Sequence, residues 1–552
     1  MVLSVRHYLF IAITVLALFL PGRATLPPLD RDEPRYMEAS AQMLRSGDWV
    51  DVRFQDKPRY LQPAGIYWLE AASVALTGTL EKREVWAYRI PTLLATIGSV
   101  LLTVRLGALL FGTPAGLFAG VLLAVSVLET AEGRMATIDS CLLLAVMLCQ
   151  TAIQRLWGDR DASSPTPARW AALFWASIGV GLMLKGPVML IPGLGTPVAL
   201  ALVERRTDWW RRSRPGWGVP LVLAMVLPWC VAIWLVSHGM FFERAVGNNF
   251  LGKVASGQQA HGLPPGYHLL VFAVAFWPGS IFAVLAIPFV WAQRRAPAVR
   301  FLLCWIVPHW LVFELIATKL PHYVLPTYPA IAVLAAAALA SPAGVGWPRP
   351  LWGRVLVGLY GLVWLTLGVV LCLAGPVLLW RLQGVVSVPA IVAAGLAMPL
   401  VLLSAFLLLQ RRPQDALLAV SGGAAVAYFG IFLCVVPNLS AIWLSPRIAA
   451  TVRAVRPCPT SVLASTSFSE PSLVFLAGQD TRLVNPDGAA SFLAGDRSCG
   501  LALVGTRDRA AFDAALAREG IGVRRLARVE GINYSNGRHL VLDLFAVASA
   551  TK

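Results

Sequence analysis

The chain has 552 residues, of which 57% are hydrophobic and only 14% charged, with a mean hydropathy of +0.68. A water-soluble globule carries about 25% charged residues, so this composition excludes one and requires a polytopic membrane protein. The formal charge of +17 does not point to nucleic acid, because the basic residues are mostly Arg placed in short loops between apolar runs, as the positive-inside rule requires.

Runs long enough to cross a ~30 Å hydrocarbon core fall near residues 7–22, 87–111, 115–129, 139–157, 170–184, 187–204, 219–237, 268–291, 301–316, 322–340, 354–374, 388–409 and 416–437. That is about thirteen transmembrane helices. The first run resembles a signal peptide, but Gly22-Arg23-Ala24-Thr25-Leu26 is a poor cleavage site, so a retained helix is expected. The stretch 170–204 is split at Lys185-Gly186-Pro187, since a lysine and a Gly-Pro break fit a turn better than mid-bilayer helix. Alternate loops then collect Arg155/Arg160/Arg169, Arg205/Arg206/Arg211/Arg212/Arg214, Arg294/Arg295/Arg300, Arg349/Arg354 and Arg411/Arg412 on one side, which marks it as cytoplasmic. The opposite, external side receives residues 23–86, the turns 130–138 and 317–321, the loop 238–267 and everything after about 438.

Segment 23–86 is too polar to span, and Trp49, Val50, Tyr60, Leu61, Ile66, Tyr67, Trp68 and Leu69 suggest amphipathic helices at headgroup depth. Beyond Pro437 the hydropathy falls, and β-like runs (461–468, 501–505, 540–545) alternate with helical ones (470–477, 510–519). The expected organisation is therefore an all-α membrane domain over 1–440, with the amphipathic loop 23–86, and a soluble α/β domain over 441–552 on the external side. Six cysteines lie in apolar runs. Cys458 and Cys499 fall in the polar region and could pair in an oxidising compartment, but spacing leaves that open. No P-loop, dinucleotide fingerprint or internal repeat is present.

Ionisable groups at a membrane boundary are costly and therefore functional suspects. Asp32-Glu33 follows the first helix by about ten residues; either carboxylate could serve as a general base, or both could merely cap the next helix. Asp30, Arg35, Arg134 and Asp139 lie nearby or on the same face. Lys57 and Arg59, Lys185, and Lys319 with His322 add cations to this external side, against the positive-inside default, and a phosphate or diphosphate headgroup is the anion they suit. The alternative is snorkelling to ordinary lipid. Glu314 is an intramembrane acid with Lys319 as its expected partner. The loop 238–267 is rich in hydrogen-bonding groups, and His238, His261 and His268 could ligate a metal with Glu243 or Glu33, although no tight metal motif supports a divalent ion.

Taken together, Asp32-Glu33-Pro34-Arg35-Tyr36, the run Met43-Leu44-Arg45-Ser46-Gly47-Asp48-Trp49-Val50, Lys57-Pro58, Tyr67-Trp68, Lys185-Gly186-Pro187 and Lys319-Leu320-Pro321-His322-Tyr323 resemble the bacterial aminoarabinose transferases that modify lipid A. These are polyprenyl-phosphate-dependent glycosyltransferases of the GT-C type, relatives of the protein O-mannosyltransferases. The likeness is ordered over residues 1 to about 335.

The resemblance implies transfer of 4-amino-4-deoxy-L-arabinose from undecaprenyl phosphate to a lipid A phosphate on the periplasmic face of the bacterial inner membrane, and with it polymyxin resistance. It implies catalytic Asp32 with Glu33 beside it and sets the family's Lys-Pro on Lys57-Pro58; with the cations clustered on the external side, the expected donor-phosphate and lipid site is Lys57, Arg59, Tyr60, Lys185, Lys319, His322 and Tyr323. Asp56 stands where a Glu usually precedes the Lys-Pro, Arg59 where an apolar residue is common, and Asp30 is an additional acid. A leaving group already present as a phosphate needs cations rather than a nucleotide site, so no cofactor is required. The expected partners are the lipid-linked sugar, lipid A and membrane lipids, with the protein a monomer. Transfer to protein or another glycan is the alternative reaction. A lipid-linked substrate transporter is the alternative of another class, although its charges would sit at the midplane rather than at one face.

Overall fold

The computed structural model describes residues 3–158, 167–245, 247, 262–342, 344–347 and 350–548. Within them, nine helices are long and apolar enough to cross a membrane, or ten if the bent pair Tyr267–Ala275 and Ser280–Ala292 is one span. The shorter apolar helices Val5–Phe19 and Thr113–Ala124 accompany them. Proline opens many of these helices, as at Pro91, Pro114, Pro215, Pro297 and Pro413; its missing N–H is not needed in a first turn and its φ suits one.

The helical run Ala168–Glu204 counts 37 residues, about 55 Å at 1.5 Å per residue and far longer than one bilayer crossing. Side-chain contacts show that it doubles back. Lys185 meets Asp139 at one end of the helix Asp139–Gly158, while Arg155 at the other end stacks on Trp170, so Ala168–Lys185 is antiparallel to it. Gln150 then donates to the Pro192 carbonyl and to Thr196, and Trp157 to Glu204, so Leu190–Glu204 returns alongside. The reversal lies at Gly186, whose φ of +61° and ψ of −143° is open to glycine and strained for other residues.

The expected span 268–291 is instead two helices meeting at 119°. Pro278, which cannot donate an N–H, and Gly279 lie at the break. The bend is pinned by Trp277 Nε1 donating to the Trp364 carbonyl and Trp364 Nε1 to that of Pro278, at 3.1 and 2.9 Å. Segment 23–86 holds the helices Glu33–Ser46 and Gly65–Thr77, separated by a hairpin of β1 (Arg53–Phe54) and β2 (Lys57–Pro58).

After the last long helix, strands β3 (Leu463–Ser465), β4 (Arg482–Leu483), β5 (Leu501–Gly505), β6 (Val523–Asn533) and β7 (Arg538–Val547) form one sheet in the order β4-β3-β5-β7-β6. β3, β4 and β5 run parallel; β7 is antiparallel to β5 and β6. Successive side chains on a strand point to opposite faces, and both faces here are covered. Leu501 and Leu503 pack with Leu444, Ile448 and Leu473, whereas Ala502 and Val504 pack with Leu493, Phe512 and Leu516. Cys458 and Cys499 are joined as a disulfide, their Cα atoms 5.4 Å apart. The long strand β6 was not expected from the sequence. It carries Arg524, Arg525 and Arg528 on an edge, where charge is what keeps an unpaired strand from recruiting another chain.

Candidate active site

The segment bearing the acidic pair is anchored by one buried ion pair. Arg89 donates from Nε to Glu33 Oε1 at 2.7 Å and from Nη2 to Oε2 at 2.9 Å, and it also donates to the carbonyls of Arg23, Leu26 and Pro27. Glu33 further accepts from the backbone N–H of Leu29 and of Ala136. With side chains 0% and 1% exposed, this pair is a staple between the first external segment and the helix Ile90–Phe111. Glu33 has no oxygen left for chemistry, which corrects the expectation that it acts in catalysis beside Asp32.

Asp32 is the opposite case. It occupies the N-cap of the helix Glu33–Ser46 but its side chain makes no capping hydrogen bond, and the side chain is 71% exposed. The carboxylate stands 3.9 Å from both Arg35 Nη1 and Arg59 Nη2. The capping explanation therefore fails for Asp32. Arg59 is buried; its Nε donates to the Tyr67 hydroxyl at 2.9 Å and its guanidinium lies over the Tyr36 ring. Tyr36 in turn accepts from Gln62.

Gln62 leads into a cavity of about 300 Å³. Asp139, Lys185, His322 and Tyr323 line its polar end, and Leu142, Val226, Trp229, Phe241 and Phe242 its apolar end. Lys185 Nζ is 2.5 Å from Asp139 Oδ1, and His322 bridges the acids, Nε2 3.9 Å from Asp139 and Nδ1 3.5 Å from Glu132. Burial pushes the Glu132 carboxyl up, with the neighbouring Asp139 adding to it. Single ligand atoms of Glu132, Asp139 and His322 lie within 4.8 Å of one another and could hold a metal ion. The set suits a divalent cation, but the Lys185 ammonium already supplies positive charge at the same carboxylate. A half-apolar cavity ending in a lysine and a histidine can take a lipid chain with a phosphate at its tip.

Other expected site residues sit elsewhere. Lys319 is 1% exposed and donates to the carbonyls of Phe313, Glu314 and Ile316. It closes the end of the helix Pro297–Leu315 rather than meeting a phosphate, and burial lowers its pKa. Glu314 is not its ion-pair partner: that carboxylate accepts from Gly266 N–H and faces His268 at 3.7 Å. Arg134 is likewise structural, wedged between the rings of Phe19 and Phe432 and donating to the carbonyls of Leu18, Pro21 and Thr130. Tyr60 donates to Asp51 and lays its ring against Phe241, so it supports the cavity wall. Asp30 is held by Ser472 and Tyr534, Arg35 stays beside Asp32, and Lys57 is exposed on the hairpin. His261 lies outside the described residues, and among these no cluster of His238 or His268 with Glu243 or Glu33 is found.

The structure thus gathers Asp139, Lys185, His322 and Tyr323 at one cavity, and Asp32, Arg35 and Arg59 connect to it through Tyr36 and the cavity-lining Gln62. Gln62, Glu132 and Arg89 were missed by sequence reasoning. Glu132 carried a signal, an acid in the external turn next to Arg134; Arg89 sat unremarked at the edge of an apolar run.

Residues 61–234 match the family of dolichyl-phosphate-mannose-protein mannosyltransferases. The chain is 30% identical over 337 residues to an undecaprenyl phosphate-α-4-amino-4-deoxy-L-arabinose arabinosyl transferase of Pseudomonas aeruginosa, covering 59% of this chain and 58% of that protein. It is also 30% identical over 350 residues to a second such transferase, from Pseudomonas fluorescens, covering 61% and 59%. The matched stretch spans a little over half the length of these relatives. The crystal structure of ArnT from Cupriavidus metallidurans bound to undecaprenyl phosphate superposes with a TM-score of 0.74 at 21% identity, over 98% of this chain and 97% of that one. The chain thus resembles the aminoarabinose transferases in sequence over some three fifths of its length, and over nearly all of it shares the fold of ArnT.

Proposed function

We propose that the protein is an integral-membrane glycosyltransferase that moves 4-amino-4-deoxy-L-arabinose from undecaprenyl phosphate to a phosphate of lipid A, and so confers resistance to cationic peptides such as polymyxin. The observation that carries the reading is the pairing of an exposed, uncapped Asp32 with an adjoining cavity that is apolar at one end and holds Lys185 and His322 at the other. The likeness to transferases of that name supplies the sugar and the lipid carrier.

In this reading the prenyl chain lies along Trp229, Phe241 and Phe242, and the donor phosphate meets Lys185 and His322. An oxygen of the acceptor phosphate attacks the anomeric carbon as the bond from that carbon to the carrier phosphate breaks. The electron pair leaves with the carrier, whose growing negative charge the Lys185 ammonium and an N–H of His322 stabilise. Asp32 orients the acceptor and takes its proton when it arrives as a monoanion, while Arg59 and Arg35, each 3.9 Å from the carboxylate, offset the charge of the incoming phosphate. A divalent ion on Glu132, Asp139 and His322 would add charge at the same place; no step above depends on it.

Thirteen spans follow if the hairpin at Gly186 counts as two, the bent pair as one, and the two short apolar helices also cross. That odd number sets the site and the sheet-bearing unit, taken as 441–552, on the face opposite the Arg-rich loops. We take that face to be periplasmic and the membrane to be the bacterial inner membrane, with the protein acting as a monomer. A disulfide in the C-terminal unit suits an oxidising compartment. The test is mass spectrometry of lipid A from cells with and without the gene: a mass increment of one aminoarabinose that requires the gene supports the proposal. An unmodified lipid A together with glycosylated protein would favour the second reading, to which the match with protein mannosyltransferases lends weight.

A further inference from the structure

The C-terminal unit does not hang free from the last span but rests on the first external segment. Phe475, on the helix Pro471–Ala477, is fully buried with Met37, Ala41 and Val74, its ring edge-on to Tyr88 at 5.4 Å. Arg83 ties the two parts by donating both to Glu38 and to the Phe475 carbonyl. One turn earlier on that helix, Ser472 reaches Asp30: its N–H donates to Oδ1 at 2.9 Å and its hydroxyl to Oδ2 at 2.5 Å. The Tyr534 hydroxyl, from the turn between β6 and β7, accepts from the Asp30 N–H at 2.6 Å, and Arg31 donates to the Ser535 carbonyl at 3.2 Å.

Asp32 is therefore strung between two fixed points. On one side Asp30 and Arg31 are bound to the C-terminal unit; on the other Glu33 is bound to Arg89 and Ala136. Between them Asp32 has no hydrogen bond of its own to hold its side chain in place. Its direction depends on both anchors, and a carboxylate that must meet an acceptor in line with a lipid-bound donor loses up to about 10²-fold in rate for a displacement of an ångström.

We infer that Ser472 and Tyr534, acting through Asp30, are positioning residues for Asp32, so that the C-terminal unit is a working part of the catalytic site rather than a separate module. This rests on the glycosyl-transfer reading above.

The test compares the double variant Ser472→Ala/Tyr534→Phe, the single variants Asp30→Ala and Asp30→Asn, and the wild type, each full-length and reconstituted. Three quantities are read: turnover, affinity for undecaprenyl phosphate, and backbone hydrogen exchange. The inference expects kcat to fall about ten-fold or more in the double variant and in Asp30→Ala, with affinity for undecaprenyl phosphate unchanged. Exchange should rise severalfold within residues 28–36 but not in the helix Asp139–Gly158. Asp30→Asn should restore function, because the amide oxygen still accepts the Ser472 N–H and the amide NH₂ can donate to the Ser472 hydroxyl. Unchanged exchange over 28–36 would overturn the inference even if the wild type transferred no sugar at all. So would a loss of kcat that comes with faster exchange throughout the chain, which would reduce these residues to a folding role. Failure of the wild type to transfer the sugar, with local exchange responding as expected, would instead remove the functional reading and leave the anchoring intact.

Discussion

Replacing Arg89 should be among the most damaging single changes in the membrane region. Its guanidinium is fully buried, binds both oxygens of Glu33 at 2.7 and 2.9 Å and serves three backbone carbonyls of residues 23–27. Removing one partner of a buried pair strands the other charge, at a cost of about 3–5 kcal/mol; Arg89→Leu also unpartners the carbonyls, which puts it at the upper end. Arg89→Lys keeps the charge but loses the two-pronged geometry and should cost roughly half as much. The double variant Glu33→Leu/Arg89→Leu removes the stranded carboxylate, so its loss should fall short of the sum of the two single losses by about 3 kcal/mol. Unfolding of the purified proteins in mixed micelles with rising denaturing detergent gives the stabilities of the wild type, Arg89→Leu, Arg89→Lys, Glu33→Leu and the double variant. A cost below about 1 kcal/mol for Arg89→Leu, the value of an exposed pair, would refute the staple. A Glu33→Gln variant that is fully folded yet inactive would return Glu33 to the chemistry.

Other outcomes follow from the same geometry. Asp32→Asn should cut turnover ~10²–10⁴-fold with stability and donor affinity little changed; near-normal turnover at equal expression would remove its role as base, and mass spectrometry of the product decides. Lys185→Met should weaken binding of undecaprenyl phosphate, because a charge-assisted contact of about 1.5–3 kcal/mol is lost, whereas Lys319→Met should lower stability and leave that binding alone; equal effects on affinity would contradict the assignment of Lys319 to a helix end. Burial raises the Asp30 carboxyl to about 6, with Ser472, Glu470 and Tyr534 facing it from the C-terminal unit and Arg31 beside it. A raised carboxyl pKa means the folded state holds the proton more tightly. Stability from this group is therefore greatest below the unfolded value near 4 and is lost as pH rises through about 6. The wild type should gain thermal stability between pH 7 and pH 5 relative to Asp30→Asn, and parallel melting curves for the two across that range would exclude the titration.

Much of the architecture was legible in the sequence because lipid leaves few choices. Backbone polar groups must be satisfied within each span, so the apolar runs and the proline-led starts mark helices well, and Lys185-Gly186-Pro187 marked a reversal that the contacts of Asp139, Gln150 and Trp157 bear out. The bend at Phe276–Gly279 was not legible, since its two halves are equally apolar and the pinning Trp364 lies 87 residues away. At the site, residue type revealed that cations and acids share one face but not which of them face each other. Lys319 and Lys185 look alike in sequence, and only the structure shows one buried against three carbonyls and the other lining a cavity. Glu33 and Asp32 are adjacent, yet helical geometry turns one inward to Arg89 and leaves the other at the surface.

In the function proposed above, Asp32 and the cavity of Lys185 and His322 transfer an aminoarabinose between two lipid phosphates. Its most direct test is a reaction of purified, reconstituted protein with undecaprenyl-phosphate-linked 4-amino-4-deoxy-L-arabinose and lipid A, followed by mass spectrometry of both lipids, with Asp32→Asn in parallel. Lipid A heavier by one aminoarabinose and free undecaprenyl phosphate in equal amount are expected with the wild type, and little of either with the variant. Lipid A left unmodified, or modified equally by both proteins, would contradict that function.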